Sequence, residues 1–221
     1  MTSTVPVTIL AGQARSGKSS FLAQLQQHGL QGRTAIVGQQ FSSHPEDLAQ
    51  VLHQMKLDRQ MGAANFERVI VECDAQTSPA RPALGLFVDE AVADYYHLDA
   101  IVTVVDALHG INHLALRDMA LTQVALADRL LMSKCDLVGH EAIQMLHRRL
   151  HACNPRAPVQ AVRQGRADLA HVFDTGAFDL GVMLSLEPRF FQQPARERRA
   201  QAMSPCRDAA SEPREQPGLH H

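Results

Sequence analysis

The residues best suited to chemistry form a glycine-rich stretch close to the start of the chain. Gly12, Gly17, Lys18 and Ser19 fit the pattern G-x-x-x-x-G-K-[ST]. Glycines let the backbone curl so that its N–H groups converge on phosphate oxygens, and a lysine at this position reaches the β- and γ-phosphates. The alternative, a chance match within a polar turn, is disfavoured by the apolar run before the stretch and the helical pattern after it. The predicted nucleotide-binding residues here are Gly12, Ala14, Arg15, Ser16, Gly17, Lys18, Ser19 and Ser20, with the Ser19 hydroxyl as the predicted ligand of Mg²⁺.

A second polar motif, Ser133-Lys134-Cys135-Asp136, follows the fifth apolar run of the chain. A carboxylate accepts two hydrogen bonds side by side, which matches the adjacent N1 and N2 donors of guanine and no donor pair on adenine. The motif is similar to the Asn-Lys-x-Asp element of GTPases, with serine in place of asparagine. Ser133, Lys134 and Asp136 are therefore the predicted guanine-binding residues. A helix-capping role for Asp136 is the alternative.

Three acidic residues come at the ends of predicted buried strands, on the side of the phosphate loop. Glu72 and Asp74 follow the third strand, where a carboxylate can hold Mg²⁺ through water or orient an attacking water. They are the predicted catalytic residues. Asp106 ends the fourth strand and is a weaker candidate, for which a turn or capping role is favoured.

The elements that must position these residues alternate between short apolar runs and longer helical patterns. This alternation predicts an α/β fold, a mostly parallel sheet with helices on both faces in the three layers of a P-loop NTPase. Several runs are continuously apolar, which is typical of strands buried on both faces. The predicted strands are Val5–Leu10, Thr34–Val37, Arg68–Val71, Ala100–Val105, Arg129–Met132 and Val159–Val162. The predicted helices are about Lys18–His28, Pro45–Gln60, Ala83–Tyr96, Ile111–Ala127 and His140–Ala152.

Length, composition and charge limit the class of protein. The chain has 221 residues, 45% of them hydrophobic and 20% charged, and its formal net charge is −2. These values predict a folded domain and provide no basic surface for a nucleic acid or a membrane. Its first apolar run is too short for a secretory signal, so we expect a cytoplasmic protein. We expect a nucleotide-binding domain over residues 1–190 and a polar, proline-rich, disordered tail over residues 191–221.

Histidines are frequent, 12 in the whole chain. His140, His147 and His151 share one flank of a predicted helix, and His109 and His113 are four residues apart. Imidazoles with these spacings can share one Zn²⁺ or another transition metal. Because no cysteine or carboxylate accompanies them, a solvated helix flank is the favoured interpretation.

Taken together, these motifs resemble the CobW/HypB/UreG family of metal-handling GTPases, and within it the CobW-like branch. The resemblance is carried by Val5-Pro-Val-Thr-Ile-Leu-Ala-Gly12, by Leu98-Asp-Ala-Ile-Val-Thr-Val-Val-Asp106 and by the stretch from Gln123 to Leu137. It runs from about Val5 to Leu180. The resemblance implies that the chain binds GTP with Mg²⁺, hydrolyses it slowly, and couples its nucleotide state to metal delivery or to a partner. A client metalloprotein and a homodimer are partners that the resemblance leaves open.

The chain also departs from the pattern of that branch. Between Gly38 and Pro45 it has no cysteine, whereas the branch carries a Cys-x-Cys-Cys motif after the second strand, and Asp74-Ala75 stands where the branch has Thr-Gly. We expect the polar tail to stand where the branch has its second domain. We therefore expect weak zinc binding and slow turnover. Two alternatives stay open: a degenerate nucleotide-binding module without turnover, and a small-molecule P-loop kinase, which would not need the guanine motif.

Overall fold

A parallel sheet forms the centre of the computed structural model, which describes residues 4–27, 33–162, 167–169 and 172–192. Within these residues the sheet has six strands in the order β2-β3-β1-β4-β5-β6. The strands are β1 (Val5–Gly12), β2 (Thr34–Val37), β3 (Arg68–Glu72), β4 (Tyr96–Asp106), β5 (Arg129–Ser133) and β6 (Val159–Ala161). The predicted α/β class is confirmed, and the carboxyl ends of β1, β3, β4 and β5 meet along one edge of the sheet.

Helices cover both faces of the sheet, as predicted. α1 (Lys18–Gln27) buries Phe21, Leu22 and Leu25 against one face. Alternate residues of a strand point to opposite faces of the sheet. The remaining helices pack against the strand residues that point to the other face. These helices are α2 (Pro45–Gln60), α3 (Ala80–Leu84), α4 (Glu90–Ala93), α5 (Gly110–Leu116), α6 (Asp118–Ala125), α7 (His140–Cys153) and α8 (Leu180–Leu186).

Two of the predicted helices are wrong in extent. The stretch predicted as one helix over Ala83–Tyr96 contains the end of α3, a turn and the short helix α4, and its last residue belongs to β4. The Asp89 carboxylate starts α4 by accepting hydrogen bonds from the N–H groups of Ala91 and Val92 at 2.8 and 3.2 Å, which is a typical N-cap. The helix predicted over Ile111–Ala127 divides into α5 and α6, because Arg117 adopts an extended conformation.

The chain after β6 returns to the sheet. Asp99, an irregular position in β4, is buried, and its carboxylate and carbonyl accept hydrogen bonds from the N–H groups of Gly176 and Phe178. α8, which no pattern predicted, follows, and the buried ring of Phe190 packs against Phe87. His28, predicted as the end of α1, and residues 193–221, most of the predicted tail, lie outside the described residues. The division into domain and tail stays a prediction.

Candidate functional site

The loop between β1 and α1 has the backbone of a phosphate cradle. Gly12, Arg15 and Gly17 have φ angles of 141°, 61° and 104°, a region that favours glycine over residues with a side chain. A Cβ atom on Gly12 would lie 2.4 Å from the carbonyl oxygen of Val104 on β4. The close approach of β1 and β4 therefore requires glycine at this position, and it sets where the cradle begins.

Lys18 lies beneath this loop as the first residue of α1. Its Nζ donates to the carbonyl oxygens of Gly12 and Gln13 at 2.6 and 3.3 Å. Burial lowers the pKa of this lysine, and the carboxylates of Glu72 and Asp74 partly offset that effect. Because both acceptors belong to the loop itself, the ammonium lies against the loop, beside the predicted position of a phosphate group.

The predicted catalytic residues follow β3, beside α1. The Ser19 hydroxyl donates to Glu72 Oε1 at 3.4 Å, so the predicted magnesium ligand and a predicted catalytic carboxylate are neighbours. The carboxylate of Asp74 accepts the N–H of Gln76 at 2.8 Å in a local turn, and its own N–H donates to Ser42 Oγ at 3.0 Å. Of the two carboxylates, Glu72 is the one that contacts Ser19. Between them, burial raises the pKa of the Cys73 thiol to about 12.

The predicted base loop follows β5 and is bonded directly to the phosphate loop. Ser133 Oγ donates to the carbonyl oxygen of Ser16 at 2.5 Å, and Lys134 Nζ donates to the carbonyl oxygen of Arg15 at 2.8 Å. Lys134 has a left-handed backbone, with φ 57°. Asp136 is exposed. Two sequence motifs more than a hundred positions apart are thus joined by side chain to backbone hydrogen bonds.

A cavity of about 340 Å³ opens where these two loops meet. Gly17 and Ser20 come from the phosphate-loop side, and Ser133, Lys134 and Asp136 come from the base loop. The other lining residues are Phe21, Gln24, Val104, Leu131 and Val162. The cavity has apolar walls with a small number of polar groups, which is typical of a small-molecule site, and Ala14 and Arg15 lie exposed at the loop beside it.

Asp106, a weaker candidate for metal or water, is bonded to other groups. Only 3% of its side chain is exposed. Its Oδ1 accepts the N–H of Leu108 at 2.7 Å, as the turn interpretation expects, and its Oδ2 lies 2.5 Å from Lys134 Nζ and 3.2 Å from His109 Nδ1. Burial by itself would raise the pKa of Asp106, but the hydrogen bonds from Lys134, His109 and Leu108 outweigh it and the pKa lies below its usual value.

A buried pair of glutamines was missed by the sequence reasoning. Gln13 Nε2 donates to Gln123 Oε1 at 2.9 Å, and Gln123 Nε2 donates to the carbonyl oxygens of Ala75 and Thr77, both at 3.3 Å. The pair joins the phosphate loop to α6 and to the segment after β3. A glutamine inside the helical pattern of α6 was the signal in the sequence, but nothing in it indicated the partner.

The histidines that the structure describes do not assemble around a metal. The rings of His109 and His113 stack with centroids 6.1 Å apart, while His140, His147 and His151 are exposed on α7. In the described ranges no three His, Cys, Asp or Glu side chains are arranged to hold a metal ion. Nor do those ranges contain a helix of the length and apolar character needed to cross a membrane.

A phosphate loop after the first strand of a parallel sheet, joined to a loop after β5, defines a P-loop nucleotide-binding domain. The family model described as the CobW/HypB/UreG nucleotide-binding domain matches residues 42–161, just over half of the chain. The chain therefore belongs to the CobW/HypB/UreG family.

Relatives in this family are similar over most of the chain. The zinc chaperone YjiA of Escherichia coli K12 is 28% identical over 215 residues, covering 84% of this chain and 66% of that protein. The zinc-regulated GTPase metalloprotein activator 1 of Schizosaccharomyces pombe is 26% identical over 206 residues, covering 79% of this chain and 50% of that protein. The chain thus spans between half and two thirds of the length of these relatives.

Solved structures are similar in fold. The crystal structure of Zn(II)-bound YjiA GTPase from E. coli superimposes with a TM-score of 0.70 at 27% identity, over 80% of this chain and 63% of that chain. The nickel complex of HypB from Helicobacter pylori, at 14% identity, gives a TM-score of 0.51 over 84% of this chain and 89% of that chain. The second likeness is one of fold alone.

Proposed function

We propose that this chain binds guanine nucleotide with Mg²⁺ and hydrolyses GTP slowly. As a GTPase of the metallochaperone type, it would couple its nucleotide state to metal delivery or to the binding of a partner. The observation that carries the proposal is the joined pair of loops: Ser133 and Lys134 donate to the backbone of Ser16 and Arg15. A nucleotide links its phosphates to its base through one ribose, which limits their separation, and two loops bonded to each other match that demand.

Guanine is favoured over adenine because the exposed carboxylate of Asp136 lines the cavity at the base loop. An ionised carboxylate has acceptors alone, and guanine presents two adjacent donors to it. Ser133 keeps a hydrogen bond to the phosphate loop, so the replacement of asparagine by serine leaves the two loops joined. We infer that the base preference survives this replacement.

Ser19 of α1 and Glu72 at the end of β3 fit a magnesium ion beside the phosphates. Ser19 would bind it, with Glu72, whose Oε1 lies 3.4 Å from Ser19 Oγ, next to it. Bound Mg²⁺ neutralises charge on the β- and γ-phosphate oxygens. Glu72 is the better candidate for orienting the attacking water, since the Asp74 carboxylate bonds within its own turn. Slow turnover is expected, because Asp74 and Ala75 provide no glycine that would let the backbone approach the γ-phosphate.

Of the two outputs, zinc delivery is the one that the residues of this chain disfavour. YjiA is described as a zinc chaperone, and its structure was determined with Zn(II) bound. In this chain the segment from Gly38 to Pro45 has no cysteine, and Cys73 is buried with a raised pKa, which disfavours the thiolate that a metal needs. Zinc would then be a weakly bound cargo.

A titration of the full chain with GTP, GDP, ATP and ADP, with and without Mg²⁺, tests the proposal. We expect both guanine nucleotides to bind roughly a hundredfold more tightly than the adenine nucleotides, as a site built on donor and acceptor matching allows. Phosphate release from GTP would accompany binding. Equal affinity for GTP and ATP would contradict the base assignment and favour a small-molecule kinase. Tight GTP binding without phosphate release would instead favour a nucleotide-binding module without turnover.

A further inference from the structure

Asp106 has a carboxylate whose oxygens are both engaged by donors. Oδ1 accepts the N–H of Leu108, and Oδ2 is within hydrogen-bond distance of Lys134 Nζ and His109 Nδ1. A carboxylate that is 97% buried is costly unless it is paired, and here it is paired with the lysine of the base loop. The register of the sheet places Asp106 opposite Ser133, so the pairing is set by two central strands.

Lys134 is held by two acceptors from different parts of the chain. Its Nζ bonds Asp106 on β4 and the carbonyl oxygen of Arg15 in the phosphate loop. Without Asp106 the ammonium would keep one of these two contacts, and a long side chain regains rotamer entropy when it is released. The position of the Lys134 stem, which lines the cavity beside Asp136, therefore depends on Asp106.

The sheet order separates Asp106 from the predicted magnesium position. Ser19 contacts Glu72, which ends β3, whereas Asp106 ends β4, and β1 lies between these two strands. A magnesium ligand needs a free oxygen lone pair that faces the phosphates. The oxygens of Asp106 already accept from the N–H of Leu108 and from Lys134 Nζ, and Oδ2 also lies within hydrogen-bond distance of His109 Nδ1.

We propose that Asp106 is a positioning residue for guanine recognition, which acts by fixing Lys134 between β4 and the phosphate loop. The proposal rests on the proposed guanine-nucleotide function. It assigns to Asp106 a part in base recognition instead of a part in magnesium binding or a role limited to the turn. His109, whose ring is half exposed, shares the same carboxylate oxygen from the outer side.

The test compares Asp106→Asn with the wild type by calorimetric titration of GDP, with Mg²⁺ and again with EDTA. Asparagine keeps the acceptor for the N–H of Leu108 and removes the charge that holds Lys134. We expect GDP to bind roughly tenfold more weakly, about the value of one charge-assisted hydrogen bond, by the same factor in both buffers. The preference for GDP over ADP should fall as well. Asp89→Asn is the matched control, because the Asp89 carboxylate also accepts a backbone N–H, as the N-cap of α4, and lies 3.9 Å from a histidine, His53, away from the base loop.

Lys134→Ala completes a double-mutant cycle. If Asp106 acts through Lys134, adding Asp106→Asn to Lys134→Ala should produce no further loss of GDP affinity. Asp106→Glu keeps the charge and serves as the second variant if Asp106→Asn does not fold. A loss that is present only with Mg²⁺ in either Asp106 variant, or additive losses in the cycle, would overturn the positioning role. If the GDP affinity of Asp106→Asn were unchanged while the wild type still preferred GDP to ADP, the positioning role would be overturned and the proposed function would stand. Absence of that preference in the wild type would overturn the proposed function itself.

Discussion

The two ends of the predicted nucleotide site are built differently. On the side of β1 and β5, the bonds described between the loops connect residues that are predicted to bind the nucleotide: Ser133 with Ser16, and Lys134 with Arg15. On the side of β2 and β3, the corresponding segments bond to each other, through Ser42 Oγ with the N–H of Asp74 and through Ser43 Oγ with Thr77 Oγ1, both at 3.0 Å. No cysteine lies between β2 and α2.

If the chain has the proposed function, this difference predicts that recognition and coupling are separable in one domain. The recognition side, formed by the loops after β1 and β5, keeps the residue types that phosphate and guanine demand. The coupling side, formed by residues 38–45 and 73–77, has serine and threonine hydroxyls that bind backbone and each other. Hydroxyls of this kind can fix a loop, but they are poor ligands for the transition metals that select thiolates.

The largest expected effect belongs to the recognition side. Asp136→Asn replaces two acceptors by one acceptor and one donor group, which suits xanthine better than guanine. We expect the ratio of GDP to XDP affinity to change by at least about a hundredfold, because GDP loses a charge-assisted pair while XDP gains a donor. Competition titrations with both diphosphates measure this ratio, and Asp94→Asn, at an exposed carboxylate, is the control. A mutant that keeps its preference for GDP would show that Asp136 caps the loop and does not read the base.

A smaller effect, on the phosphate end of the same side, is expected from Lys18→Ala. Lys18 is buried beneath the loop and is the cation held against the carbonyl oxygens of Gly12 and Gln13. Its removal should weaken GDP and GTP binding by at least about tenfold, the value of a hydrogen bond to a charged group. Lys56→Ala is matched in chemistry, since Lys56 Nζ donates to the carbonyl oxygen of Ala91, far from the loop in sequence. Equal nucleotide affinity in the two variants would remove the basis for the phosphate-loop assignment.

The bridge between the two sides should affect stability more than binding. Gln123→Leu removes the amide that bonds Gln13, Ala75 and Thr77 and leaves their buried groups short of a partner. We expect a loss of roughly 1–3 kcal/mol in the free energy of unfolding, seen as a melting temperature lower by about 5 °C in a domain of this size. Gln144→Leu, on the exposed face of α7, is the control. A melting temperature equal to that of the wild type would mean that the two sides are held together elsewhere.

The sequence was sufficient for the parts of the fold that simple periodicity controls. The strands were predicted because parallel strands buried on both faces are continuously apolar, and the phosphate loop was predicted because its glycines are needed for close backbone approach. The start of β4 at Tyr96 could not be predicted from the pattern, since the polar residues His97 and Asp99 interrupt its apolar run. The break between α5 and α6 at Arg117 could not be predicted either, because it depends on a backbone angle and no proline or glycine marks it.

The contacts of the site were less predictable than its residues. Gly12, Lys18 and Asp136 could be selected from local motifs. The pairing of Asp106 with Lys134 and of Gln13 with Gln123 depends on the order of strands in the sheet and on register. Both pairs join positions far apart in the chain, so neither spacing nor composition contains the information.

The most direct test of the separation between recognition and coupling is a calorimetric titration of the full chain with GDP and Mg²⁺, in the presence and absence of one equivalent of Zn²⁺. If the two functions are separate, GDP should bind in both cases with dissociation constants that agree to within roughly twofold, because zinc and nucleotide then have no coupling free energy. A shift of about tenfold or more in the dissociation constant for GDP, together with stoichiometric zinc binding, would contradict this. It would mean that histidines such as His44, His109 and His113 have taken over the role of the missing thiolates.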